Sequence, residues 1–182
     1  QGTAVVTVKV PTITTGTPSV AEACAGKSFN VPFQQSGDYP AGNTFKVQIA
    51  LGTADSLFYS IPSVATTNNI TATFPDTTKD GYYYVRVVSS GANSQFLVRG
   101  STSAYGIQAN SLPVGTITGT QTVFKGDPAT IKVDFTGKGP WQFLLAGGTK
   151  DTLITASATP YSFALKPSAT TTYTIKEVTN GC

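Results

Sequence analysis

Short apolar runs of about four to eight residues, rich in β-branched and aromatic side chains, recur along this chain at roughly ten-residue spacing, with Gly, Pro, Asn and Asp between them. No stretch keeps a helical period for more than a turn or two, so the pattern predicts an all-β chain of short strands. Strands are expected in the first half at 28–33, 44–51, 56–60, 69–74, 81–89 and 94–98, with 103–108 leading out. In the second half they are expected at 121–124, 129–135, 141–146, 152–157, 161–165 and 171–178. At the N-terminus Ala4, Val6, Val8 and Val10 alternate with Val5, Thr7 and Lys9 before Pro11, the period of one further strand. The run 171–178 meanwhile stops at Thr179-Asn180-Gly181-Cys182, where a sandwich would turn and add its last strand. Written head to tail, the end of one chain and the start of the next read as an unbroken hairpin.

A length of 182 residues suits two domains of about 70 to 110 residues. Residues 1–19 are expected to form a donor-like strand and a Thr/Pro-rich linker or lead-in, 20–112 a first sandwich, and 113–182 a second. That second sandwich has only six expected strands, which leaves one sheet edge without a partner. The turn cluster Asp76-Thr77-Thr78-Lys79-Asp80-Gly81 before Tyr82-Tyr83-Tyr84 resembles the E–F corner of immunoglobulin and fibronectin type III sandwiches, with Tyr82 or Tyr84 as the corner hydroxyl. Tyr173 would be its counterpart in the second domain, and Trp141 stands where such domains keep a buried Trp on their third strand. The expected fold is two tandem immunoglobulin-like or fibronectin III-like β-sandwiches, the second lacking its last strand, plus an N-terminal strand available to complete a neighbouring unit.

Composition narrows the function. Charged residues are 12% against 40% hydrophobic, and there is no His, which removes the commonest general base and metal ligand. Without a His the serines lack their ordinary activating base, the only glutamates are Glu22 and Glu177, and no Asp-x-Asp-x-Asp loop is present. The chain is therefore expected not to be an enzyme and to carry no cofactor and no metal. A net charge of +3 spread over isolated Lys and Arg residues gives no basic stripe for nucleic acid. No apolar run approaches the roughly 18 residues of a membrane span. Gln1 is consistent with a processed, exported protein, and the expected location is extracellular or at the cell surface.

The stretches Cys24-Ala25-Gly26-Lys27-Ser28, Val31-Pro32-Phe33, Ser36-Gly37-Asp38-Tyr39, 42–48 and 84–89 resemble immunoglobulin-like repeats of very large secreted surface proteins of Bacteroidota. The second half, through Gly119-Thr120-Gln121, 129–135, Gly139-Pro140-Trp141, 167–174 and Asn180-Gly181-Cys182, is similar to the companion repeat of those proteins. The resemblance implies an exported, multi-domain, adhesive or structural protein, often a cargo of type IX secretion. In the companion repeat the position of Phe124 is commonly a Cys that pairs with the Cys of the Asn-Gly-Cys end, a partner this chain lacks.

Two further sets of residues complete the expectations. Cys24 and Cys182 are the only cysteines; placed one domain length apart, roughly 33 Å for a ten-residue strand, they are expected to be free or intermolecularly paired thiols. Ser56, Thr77 and Thr152 follow Asp in turns and fit the pattern that resembles the O-glycosylation signal of Bacteroidota. The leading functional expectation is a structural subunit or repeat of an extracellular filament. Its donor strand, Ala4, Val5, Val6, Val8 and Val10, would pair with an acceptor edge at Thr171, Tyr173, Ile175 and Val178 of the preceding unit, so the partner is the chain itself, as a head-to-tail homopolymer or as tandem covalent repeats of one longer chain. The alternative is an adhesin module that recognises a glycan or surface through sandwich-end loops.

Overall fold

The computed structural model describes residues 2–6, 10–91 and 98–182. Val8 of the expected donor strand and most of the expected strand 94–98 lie outside the described residues. The chain divides into two compact units, Gln1–Ala109 and Asn110–Cys182.

Unit 1 contains β1 (Thr12–Thr15), β2 (Glu22–Cys24), β3 (Ser28–Ser36), β4 (Thr44–Ala50), β5 (Tyr59–Ser60), β6 (Ser63–Ala65), β7 (Asn69–Thr73), β8 (Gly81–Ser90), β9 (Arg99–Thr102) and β10 (Ile107–Asn110). One sheet has the order β1-β3-β7-β6; the other runs β2-β10-β8-β4-β5, with β9 also paired to β8. These are the A-B-E-D and A′-G-F-C-C′ orders of an immunoglobulin-like sandwich. Alternation in β3 sends Phe29, Val31 and Phe33 inward to meet Val47, Ile49, Ile70, Phe74, Val85 and Val87 in one core. Residues 12–15, within the segment expected as linker or lead-in, form the first strand, because Thr15 Oγ1 accepts the buried Val87 N–H at 2.9 Å and Ile13 enters the core.

The corner tyrosine is Tyr83, not Tyr82 or Tyr84. Its hydroxyl donates to the Lys79 carbonyl at 3.3 Å, four residues back, and its ring is buried. The reason is parity: Val85 and Val87 face the core, so Tyr83 does too, while the Tyr82 hydroxyl accepts the Gly106 N–H at 3.0 Å. The expected strand 56–60 is instead a short 3₁₀ turn, Asp55–Leu57, followed by the two residues of β5. Asp55 is held there by an ion pair to the buried Arg86 on β8.

Unit 2 contains, among the described residues, β11 (Gly115–Thr118), β12 (Ala129–Phe135), β13 (Trp141–Ala146), β14 (Thr152–Ala156), β15 (Tyr161–Leu165) and β16 (Thr174–Thr179). The sheets are β11-β12-β15 and β14-β13-β16, which leaves β16 at the end of its sheet. Trp141 is buried, stacks on Phe135 with ring centroids 5.2 Å apart, and donates from Nε1 to the Thr136 carbonyl at 2.9 Å. The first strand lies at 115–118, not at 121–124. Gly119, at φ +123°, ends it, and the Gln121 side-chain amide donates to the Gly119 and Thr130 carbonyls.

The expectation of free or intermolecular thiols is corrected. No cysteine is free, and Cys24 and Cys182 form a disulfide. The error lay in placing the two cysteines one domain length apart. Just after it, Gly26 N–H donates to the Phe74 carbonyl at 2.9 Å, at the start of the turn into β8, whose first residue Gly81 pairs with Ala109. Cys24 therefore sits at the end of unit 1 from which the chain leaves. Cys182 N–H bonds Asn180 Oδ1, and Asn180 Nδ2 donates to the Lys138 carbonyl. The same Asn180 approaches Gly137, which also packs on Ser111, so Cys182 is at the end where the chain comes into unit 2.

Candidate functional site: the open edge of unit 2

Strand β16 pairs on one side with β13, from Gln142↔Thr179 to Ala146↔Thr174, and its other side carries no strand among the described residues. The pairing skips Lys176: Leu144 faces Glu177 and Leu145 faces Ile175. This bulge keeps Ile175 and Val178 on the same inward face although they are three apart in sequence, and leaves Lys176 and Glu177 both exposed. Lys176 Nζ then reaches Asp151 Oδ2 at 2.6 Å on the outer surface.

The core behind this edge is thinly covered. Ile131, Val133, Phe135, Trp141, Phe143, Leu145 and Ala156 are buried, but Ile117, Tyr173, Ile175 and Val178 are only partly so. At one end β11 and β16 close on each other, since a Cβ on Gly115 would meet Val178 at 3.0 Å and Ile175 at 3.1 Å. Toward the other end they part around a cleft of about 570 Å³ lined by Ile117 and Thr118 of β11, the loop 119–125 and the segment 167–173. Of the expected acceptor residues, Ile175 and Val178 lie in β16, while Tyr173 and Thr171 precede it and line the cleft. Phe124, expected to end a strand, instead stands on the cleft loop and is 86% exposed.

The arm contributes apolar side chains that nothing covers. Val5 is 89%, Val6 86% and Val10 74% exposed, Ala4 is exposed as well, and none of these residues is in a strand. Pro11, at the base of the arm, packs over Gly37, where φ is +88° and a Cβ would stand only 2.9 Å from Pro11 Cα. Tyr39 donates to the Thr12 carbonyl at 2.8 Å just beyond.

No group of three or more His, Cys, Asp or Glu that could hold a metal occurs among the described residues. Burial raises the phenol pKa of Tyr39 and, with Tyr83 adding to the effect, of Tyr59, so neither supplies a base near neutral pH. The buried Arg86 donates from Nε to Gln48 Oε1 at 2.9 Å and stacks over Phe58 at 4.1 Å, a clasp that holds the Asp55 turn to the sheet. Ser56, Thr77 and Thr152 are all exposed. No helix of the described chain is long and apolar enough to cross a membrane.

No family model matches the chain, and no curated protein does. Among solved structures it is similar to a marsupial T cell receptor, at 15% identity and a TM-score of 0.33, over 87% of this chain and 56% of that one. It is also similar to a DUF4785 family protein of Legionella pneumophila (12% identity, TM-score 0.33, 81% of this chain and 44% of that one). A third likeness is to three N-terminal domains of the Highly Immunogenic Outer Capsid protein of bacteriophage RB49 (16% identity, TM-score 0.30, 91% and 58%). The chain spans about half the length of these structures. Its immunoglobulin-like fold rests on its own strand orders.

Proposed function

We propose that this chain is a repeating structural unit of an extracellular surface filament, in which residues 2–10 of one unit supply the missing strand beside β16 of the preceding unit. The carrying observation is the coincidence of a sheet edge that is unpaired among the described residues, over a partly covered core, with the exposed Val5, Val6 and Val10 of an arm whose sequence alternates like a strand. An open edge leaves a row of backbone donors and acceptors that a strand can satisfy, and burying each valine favours insertion by roughly 1.5 kcal/mol. Repetition of one such head-to-tail contact generates an open fibre. Export, by a type IX route in the manner of the Bacteroidota repeats that the sequence resembles, belongs to this reading, and the disulfide supports it because such bonds persist in oxidising compartments.

Deleting residues 2–10 tests the proposal. The intact protein should form high-mass species and the truncated one should not; assembly that survives the deletion counts against strand donation. Glycans at Ser56, Thr77 and Thr152 are part of the same reading, and native peptides containing these residues whose masses equal those of the bare sequence would remove them. The cleft between the loops 119–125 and 167–173 favours a second reading, an adhesin module gripping a glycan at that end of unit 2. It requires a stable monomer and glycan binding that the deletion leaves intact.

A further inference from the structure

The groove beside β16 carries enough geometry to fix how a strand would lie in it. We infer, resting on the strand donation proposed above, that the arm of a second copy runs antiparallel to β16 with Ala4 beside Val178, Val6 beside Ile175 and Val10 beside Thr171.

Spacing is the first argument. The bulge at Lys176 places Val178 and Ile175 two ladder positions apart. Ahead of β16 the alternation of half-buried and exposed residues continues through Tyr173 and Thr171, which line the cleft. The arm offers its small and apolar set at the same two-residue step. A slip of one residue would turn Val5, Thr7 and Lys9 inward and bury a lysine without a partner.

Width is the second. The groove is narrowest at Gly115, which lies against Val178 and Ile175, and widest at the cleft beyond Ile117. The inferred register sets Ala4 and Val6 at the pinch, the smaller of them beside Val178, and Val10 at the wide end. A slip of two would put Val6 in place of Ala4 beside Val178 and carry Ala4 to Asn180, beyond the end of β16.

Length is the third. With Lys176 skipped, β16 and the segment 171–173 that leads into it offer eight ladder positions, which match the eight residues from Thr3 to Val10, roughly 27 Å when extended. An inserted strand of that length contributes on the order of 800 Å² from its own side, the size of a standard specific interface. Pro11 cannot follow it into the ladder, because it has no N–H to donate and is packed on Gly37, while Thr12 already pairs with Ser36 in unit 1. The arm therefore stops at Val10, and a single residue couples the groove of one copy to the first strand of the next.

Engineered cysteine pairs test the register in the full chain with its native disulfide retained. Carried together, Val6→Cys and Ile175→Cys should give a covalent ladder of chains on a denaturing, non-reducing gel. Ala4→Cys with Ile175→Cys, and Val5→Cys with Ile175→Cys, should give at least tenfold less. A ladder from either control in place of the first pair, or from none of the three in material that assembles, overturns the register and leaves donation standing. Single chains throughout, from material that is also monomeric before denaturation, overturn donation itself.

Discussion

Gly115 and Val178 belong to different sheets, yet a Cβ on Gly115 would stand only 3.0 Å from Val178 Cγ2. The glycine is what lets β11 close on β16 at one end of the groove. Gly115→Val should force the two strands apart and lower the stability of unit 2 by about 1–3 kcal/mol, the usual cost of overpacking. Denaturant unfolding followed by Trp141 fluorescence, which reports unit 2, should show the earlier midpoint. An unchanged midpoint would mean that the strands do not close there.

The corner hydroxyl gives a second test. Tyr83→Phe removes the bond to the Lys79 carbonyl and should cost about 1 kcal/mol. Tyr82→Phe, whose ring is 44% exposed, should cost less, because water can replace the lost acceptor for Gly106 N–H. The reverse ranking in equilibrium unfolding would assign the corner to Tyr82.

The alternating strands were legible in the sequence: Phe29, Val31 and Phe33 announce β3, and Ile131, Val133 and Phe135 announce β12, because a two-residue period means one buried face. The corner was one residue out, although counting back from Val85 would have given Tyr83. Hydrophobicity misled at Phe124, an exposed loop residue, while the true first strand, Thr116-Ile117-Thr118 behind Gly115, has only one strongly apolar side chain. The disulfide was not legible, since sequence does not say which end of a sandwich a short edge strand such as β2 reaches. The open edge was anticipated from strand count, but the bulge at Lys176, which decides which side chains face the groove, depends on β13 and has no local signal.

Arg86 separates burial from charge. Its side chain is 4% exposed whereas that of Asp55 is 70% exposed, so water screens much of the ion pair from the Asp55 side. Asp55→Asn should cost less than about 1 kcal/mol. Arg86→Ala, which also loses the packing on Phe58 and the bond to Gln48, should cost about 2–4 kcal/mol. Equal effects of the two substitutions on the denaturation midpoint would mean that the pair, not the packing, holds the turn.

The disulfide predicts that the unfolded, unreduced chain presents no thiol to an alkylating reagent, and that reduction raises its intact mass by two hydrogens. Replacing both Cys24 and Cys182 with Ser should lower stability by about 2–4 kcal/mol. Alkylation of either cysteine before reduction would contradict the bond.

The central claim is that a strand from another unit satisfies the outer edge of β16. Amide hydrogen exchange of Thr174–Thr179, compared between the intact assembled protein and one lacking residues 2–10, measures that edge directly. Donation predicts that outward-facing amides are protected in the intact protein and exchange at least a hundredfold faster after the deletion, with β12 unchanged. Equal exchange in the two proteins would contradict it.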